Sequence, residues 1–193
     1  MHICVDEATR LAYVEVLADE RATTAACFLR RAVAHYRAYG IRVERVMTDN
    51  GSCYRAVIHA LACTSLRIKH MRTQPYGPPT NGKAERFIRT LLGGWAYGAI
   101  YRNSEERRLA LAGWLDFYNR RRPHGSLAHQ PPLQRVGGLG RRTAGESHEG
   151  RTLRALPGLE ARRGITAKEA RWILVGVTAD GRFQRAIQRR PWW

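Results

Sequence analysis

The sequence is poor in acidic residues and contains no long hydrophobic run. Only 16 Asp and Glu stand against 33 Lys and Arg among 193 residues, which gives a formal net charge of +17. This excess predicts a polyanionic partner and favours nucleic acid, although an arginine-rich genome would leave the same signature. No apolar stretch is long enough to span a bilayer and no leader precedes the first strand, so we expect a soluble, intracellular protein without a membrane partner.

Cysteine is also scarce, and its spacing excludes two further classes of protein. The four cysteines lie far apart and none belongs to a C-x-x-C pair: Cys4, Cys27, Cys53 and Cys63. Without histidines at ligand spacing, we expect no zinc site from them, and the pattern is not that of a secreted disulfide framework. Reduced, partly buried thiols are the expected state.

Segments typical of strands and helices alternate through residues 1–136. The patterns predict a hairpin (1–17), a helix (22–39), a strand (43–48), a helix (56–65) and a strand (66–71). A loop (74–82) and two helices (83–100 and 104–118) follow, the second helix with Ser104 as its N-cap. This order indicates an α/β fold with a mixed sheet. Residues 137–193 are interpreted as a linker and an unassigned tail, within which 160–170 resembles a helix and 172–178 a strand.

Two acids occupy positions where a metal site could form. Asp49 ends a buried strand, and Glu85 lies in the first turn of a helix after a loop. Transfer at a phosphodiester needs an activated oxygen nucleophile and compensation of leaving-group charge, which two Mg²⁺ or Mn²⁺ ions about 3.5–4 Å apart supply. Such ions prefer carboxylate and water ligands. Taken singly, Asp49 is more often a turn residue and Glu85 a helix-terminal charge, and His70 is expected at the surface.

The motifs agree in type, order and spacing with a known family. Asp49 and Glu85 are separated by 35 residues, and the flanking motifs are Thr48-Asp49-Asn50-Gly51-Ser52, Pro79-Thr80-Asn81-Gly82-Lys83-Ala84-Glu85-Arg86 and Tyr118-Asn119-x-x-Arg122-Pro123-His124. Over residues 2–135 the chain resembles the D,D-35-E catalytic core of bacterial insertion-sequence transposases, DDE-type enzymes of the retroviral integrase superfamily.

The resemblance implies a fold and an activity. The fold is a ribonuclease-H-like mixed sheet flanked by helices, over residues 1–136. The activity is metal-dependent DNA cleavage and strand transfer, with insertion-element ends and target DNA as partners. The resemblance also implies a homo-oligomer and a cytoplasmic, nucleoid-associated location in a bacterium. Asp49 and Glu85 would hold Mg²⁺ or Mn²⁺, and the residues expected to contact DNA are Lys83, Arg86, Arg89, Arg120, Arg121 and Arg122. A nuclease acting on RNA–DNA hybrids shares the fold, but these motifs argue against it.

One departure from the family changes the expectation for this chain. The family's first catalytic acid lies on a central strand that would precede residue 1, so we expect the sheet to lack its first strand and to expose an unpaired edge. Strand transfer should then be weak or absent, and the alternative function is a non-catalytic DNA-binding remnant or a partner of an intact transposase. Asp6 is expected to be a solvent-facing turn residue. Residues 172–178, followed by Asp180, are the less favoured candidate for filling the vacant position.

Overall fold

The described part of the chain comprises residues 1–73, 82–139 and 172–177 of a computed structural model. Its strands are β1 (His2–Asp6), β2 (Ala12–Glu15), β3 (Arg45–Thr48), β4 (Lys69–Arg72) and β5 (Trp172–Val177). Its α-helices are α1 (Ala22–Ala38), α2 (Ser52–Arg55), α3 (Val57–Ser65), α4 (Gly82–Leu91), α5 (Ser104–Arg120) and α6 (Pro132–Leu139). The helix expected at 160–170, the turn at 179–181 with Asp180, and most of the 74–82 loop lie outside the described residues.

The five strands form one mixed sheet in the order β2-β1-β5-β3-β4. β1 and β2 make the expected hairpin, and β3 and β4 pair in parallel. β5 lies between them, antiparallel to β1 and parallel to β3. The segment at 172–177 therefore occupies the position of the expected missing first strand. It pairs with β1 on one side and with β3 on the other, so the edge that was expected to be exposed is covered.

Each face of the sheet carries its own apolar cluster, because successive side chains of a strand point to opposite faces. On one face Cys4 and Val46 pack with α1 residues such as Phe28 and Leu29. On the other face Ile3 and Val5 pack with the buried apolar residues of α4 and α5, which are Ala84, Phe87, Ile88, Leu91, Leu111 and Tyr118. The sheet is thus covered on both faces, as a sheet with parallel strands requires.

The long helix expected over 83–100 is shorter in the structure. α4 ends at Leu91 and passes into a π-helical turn, Leu92–Ala96, in which Gly94 packs against the indole of Trp114. A Cβ at Gly94 would lie 2.7 Å from Trp114 Nε1, so only glycine permits this approach. The helix that follows is capped by Asn103, whose side chain accepts from the Glu106 N–H at 2.8 Å. The expectation that Ser104 is the N-cap is wrong by one residue, within the usual uncertainty of helix boundaries.

In the described ranges, no helix combines the length and the apolar character that a membrane crossing would need.

Candidate functional site

Asp49 lies at the carboxyl end of β3, where the chain turns into α2. Its Oδ1 accepts the N–H of Gly51 at 2.8 Å, and its side chain is half-buried. Within the described residues its Oδ2 takes part in no hydrogen bond or ion pair. The turn role predicted for the Asp49 motif and a metal-ligand role are therefore compatible, since one carboxylate oxygen shapes the turn and the other remains available.

Glu85 lies in the first turn of α4, as the sequence predicted. Its side chain is exposed, and among the described residues it has no ion pair or hydrogen bond. Lys83, two residues earlier, forms an ion pair with Glu7 of the β1–β2 turn. Because two residues span about 200° around a helix, Glu85 points away from that turn.

The side of the sheet on which Asp49 lies follows from the alternation along β3. Met47 packs into the apolar cluster of α4 and α5, whereas Val46 packs on the α1 side. Asp49 follows Met47 by two residues, so we expect it on the α4 side, where Glu85 also lies. Within the described residues neither acid belongs to a group of three acidic, histidine or cysteine side chains at ligand spacing.

Asp6 contradicts its sequence expectation, because it is fully buried rather than solvent-facing. Its Oδ2 accepts the N–H of Thr9 at 2.8 Å and also bonds the Thr9 hydroxyl. The carboxylate therefore shapes the hairpin turn from the inside. Asp6 follows Cys4 by two residues and faces α1, the face of the sheet away from α4.

The register of the sheet also separates Asp6 from Asp49. Asp6 aligns with Ile173, which aligns with Val46, three residues before Asp49. The two acids are thus about 10 Å apart along the strands and about 10 Å apart across them. Two carboxylates so placed, on opposite faces, cannot share a pair of ions. Residues Val175, Gly176 and Val177 of β5, the ones level with the end of β3, include no acid.

The six basic residues expected to contact DNA divide into three groups. Lys83 is paired with Glu7, and Arg120 is paired with Asp116 at 2.6 Å. Arg122 is half-buried beside Tyr118 and His124, and its positive charge helps to lower the pKa of His124, after the larger effect of burial. The remaining three are exposed and, in the described ranges, without an ion pair: Arg86, Arg89 and Arg121.

The Tyr118–His124 motif has a structural role that the sequence did not reveal. Asn119 is buried, and its side chain accepts from the N–H of Ala12 at 3.0 Å and donates to the carbonyl of Ala12 at 2.9 Å. The amide thus docks α5 on the edge strand β2 as another strand would. Tyr118 packs edge-on against Phe87 of α4 and against His124, with ring centroids 5.0 and 4.8 Å apart. The motif therefore fixes α4, which carries Glu85, over the sheet.

Three side chains that the sequence analysis did not connect converge on the α3 side of the sheet, next to β4. His59, Cys63 and His70 each place one potential ligand atom within 4.8 Å of the others. Burial, and then the neighbouring His70, lowers the pKa of His59 to about 4, while burial raises the pKa of Cys63 to about 11. The expectation that no histidine lies at ligand spacing from a cysteine is wrong, since His59 precedes Cys63 by one helical turn. His70 is half-buried and bonded to Thr48, so its expected surface position is also wrong.

Comparison with known protein families finds two matches, both described as an integrase core domain. One covers residues 1–78 and the other covers residues 66–132. Together they span both acids, the 74–81 segment between β4 and α4, and the Tyr118–His124 motif.

Three curated relatives resemble parts of the chain. An insertion element IS136 uncharacterized protein of Agrobacterium fabrum is 28% identical over 88 residues, 46% of this chain and 45% of its own length. A putative integrase ORF3 of Spiroplasma virus SpV1-C74 is 27% identical over 148 residues, covering 70% and 41%. A putative transposase InsD for insertion element IS2E of Escherichia coli is 33% identical over 90 residues, covering 46% and 40%. The chain spans less than half the length of these relatives.

Two solved structures share the fold. The catalytic core domain of BIV integrase aligns with a TM-score of 0.57 and 22% identity over 73% of this chain and 87% of that one. A chain of the simian T-cell lymphotropic virus intasome in complex with PP2A regulatory subunit B56 gamma aligns with a TM-score of 0.57 and 24% identity, over 85% and 52%. The ribonuclease-H-like mixed sheet predicted from the sequence is confirmed.

Proposed function

Since residues 1–132 of this chain belong to the integrase core family of DDE transposases and integrases, we propose that the protein acts in DNA transposition. Its core would bind insertion-element ends and target DNA, and Asp49 and Glu85 would be its metal-binding acids. The observation that carries the proposal is the availability of both carboxylates. Each has an oxygen without a partner in the described structure, and the acids belong to the two elements that the family motifs mark.

The two carboxylates fit a hard divalent cation. Mg²⁺ is usually held in proteins by one or two carboxylates, with water and substrate phosphates completing the coordination. When bound, such ions activate an oxygen nucleophile and offset charge on the leaving oxygen. The chain's own contribution is to hold Asp49 rigidly, through the turn bond to Gly51, and to hold Glu85 on a helix packed over the sheet.

The basic residues near Glu85 supply the surface for DNA. Arg86 and Arg89 follow Glu85 on α4, and Arg121 closes α5, which packs beside α4. Their guanidinium groups are exposed and unpaired within the described structure, so phosphate contact requires no ion pair to be broken. Phosphate neutralisation supplies most sequence-independent affinity for DNA, and the net charge of +17 favours it strongly.

A second candidate function is favoured because, among the described residues, Asp49 and Glu85 belong to no group of three potential metal ligands. The chain would then bind DNA, or pair with an intact transposase, without catalysing strand transfer by itself. We expect little or no joining of DNA ends by the purified chain with Mg²⁺. Efficient joining of DNA ends by the purified chain would support the enzymatic function and would require a further acid at the site.

Calorimetric titration with Mn²⁺ tests the proposed metal site. We expect the wild-type chain to bind Mn²⁺, and the Asp49→Asn and Glu85→Gln variants to bind at least tenfold more weakly, because each loses a carboxylate ligand. The matched control is Glu20→Gln, which removes one exposed acid outside the site. Absence of binding by the wild-type chain would leave DNA binding as its activity and would refute the assignment of Asp49 and Glu85.

The salt dependence of DNA binding tests the proposed surface. We expect replacement of Arg86, Arg89 and Arg121 by alanine to reduce the slope of log affinity against log salt by about 3, since each lost phosphate contact lowers it by about 0.9. The measurement is fluorescence anisotropy of a labelled duplex over a salt series.

The control for that measurement removes the same charge from the opposite face of the sheet. Arg30 and Arg37 lie exposed on α1, and Arg42 is exposed just after it. Their replacement by alanine should leave the slope nearly unchanged. Equal losses for the two triple variants would contradict the proposed surface and would indicate binding through net charge alone.

A further inference from the structure

Behind the sheet, on the side away from α4, three metal-binding side chains meet between α3 and β4. His59 and Cys63 are one turn apart on α3, and both are buried. His70 of β4 lies against His59, with ring centroids 4.8 Å apart. One ligand atom from each of the three residues lies within 4.8 Å of the other two. The helix spacing and the adjoining strand therefore build a compact group with two nitrogen ligands and one sulfur ligand.

The hydrogen bonds of Thr48 favour one tautomer of His70. The hydroxyl of Thr48 donates to the carbonyl of Asp49 at 2.9 Å. With that proton engaged, the hydroxyl oxygen is an acceptor for His70 Nε2, which lies 2.9 Å away. In this tautomer the neutral ring carries its free lone pair on Nδ1. A ring N–H held by an oxygen, with the other nitrogen unprotonated, is the usual arrangement of a histidine that binds a metal.

The buried side chain of His59 also has a nitrogen that is free to bind a metal. Its side chain is fully buried, and its Nε2 has no hydrogen-bond partner within the described structure. Its Nδ1 lies 3.8 Å from Cys63 Sγ. A buried histidine with a purely packing role normally satisfies both nitrogens, and His59 does not.

We propose that His59, Cys63 and His70 bind one Zn²⁺ ion. On binding, the S–H bond of Cys63 breaks, its proton passes to solvent, and the thiolate sulfur bonds the metal. Water takes the fourth position, because three protein ligands leave one tetrahedral site open. Nitrogen and thiolate ligands select zinc over magnesium, so this site is chemically distinct from the pair of carboxylates.

The position of the ion gives it a structural consequence. It would join α3 to β4 directly, and through the bond between His70 and Thr48 it would brace the end of β3, immediately before Asp49. Zinc would thus stabilise the part of the core that presents Asp49. The zinc site does not depend on the proposed function, since its ligands lie on the opposite face of the sheet.

Cobalt substitution in the full chain tests the site, because Co²⁺ takes zinc ligands and reports a thiolate ligand by a sulfur-to-metal charge-transfer band. We expect the wild-type chain to bind a single equivalent with this band, and added Zn²⁺ to bleach it. Cys63→Ser should abolish the band. The matched controls are Cys53→Ser, at a buried cysteine in α2, and Cys27→Ser, at an exposed one; both should keep it.

A second readout keeps the test independent of the folding of any one variant. Zn²⁺ should raise the midpoint of thermal unfolding of the wild-type chain, and His70→Gln should bind Zn²⁺ at least tenfold more weakly while its amide N–H still reaches Thr48. Absence of the charge-transfer band in the wild-type chain would overturn the proposal, as would its persistence in Cys63→Ser. Asp49→Asn should leave the band unchanged, so a failure of the carboxylate site and a failure of this site are distinguishable.

Discussion

A chain that ends after Leu139 is expected to lose cooperative folding, because it lacks β5. This strand aligns with five residues of β1 and with four residues of β3. At roughly one hydrogen bond per aligned pair, each with a net contribution of about 0.5–1.5 kcal/mol, the loss is about 4–13 kcal/mol. The whole free energy of unfolding of a domain is about 5–15 kcal/mol, so the truncated core should not retain a stable native state.

Chemical denaturation followed by circular dichroism measures this effect. A chain that ends after Arg182 keeps β5 and should unfold cooperatively, near the midpoint of the full chain. A synthetic peptide covering residues 168–182 should restore a transition to the short chain by pairing between β1 and β3. A short chain that unfolds with the same midpoint as the full chain would contradict the central place of β5 in the sheet.

Replacement of Asn119 by alanine is expected to destabilise the core by about 2–6 kcal/mol. The variant leaves the N–H and the carbonyl of Ala12 without their partner, in a place where Ala12 is 1% exposed. Each buried backbone group that loses its hydrogen bond costs about 1–3 kcal/mol. The edge strand β2 and helix α5 would then separate most readily, since this amide joins them.

The matched control for Asn119 is the exposed Asn50. Its amide donates a single hydrogen bond to the carbonyl of Thr73 at 2.9 Å, in a position open to water. Water replaces such a bond, so Asn50→Ala should cost less than about 1 kcal/mol. The free energies of unfolding in urea compare the two variants directly. Similar losses would mean that the contact of Asn119 with Ala12 does not hold α5 on the sheet.

Two groups of side chains with possible ligand atoms lie around the end of β3. The carboxylates of Asp49 and Glu85, which we propose as metal ligands, lie at the end of β3 and the start of α4, whereas two imidazoles and a thiol gather beside α3. Thr48 bonds His70 of the second group, and Asp49, the next residue, belongs to the first. The alternation of side chains along a strand is the reason that one strand end serves both.

The sequence by itself determined the features that depend on neighbouring residues. The alternation and helical periodicity of residues 1–136 predicted the class of fold, the hairpin and the two strands that the structure has as β3 and β4. The motifs around Asp49 and Glu85 are short and contiguous, so type and spacing alone were enough to indicate the family, which the comparisons confirmed. The basic charge, which needs only counting, indicated a polyanionic partner.

Only the tertiary structure decided which distant residues meet. The pattern of 172–177 indicates a strand but not its partners, because a continuous apolar run is alike whether the strand joins β1, β3 or neither. The burial of Asp6 depends on α1 covering that face of the sheet, and the sequence of the turn does not show which element packs over it. Asn119 finds Ala12 across 107 residues, and His70 reaches His59 only because β4 lies beside α3. Local sequence fixes the conformation of a segment, whereas pairing and burial depend on the elements packed against it, and these were set by the fold as a whole.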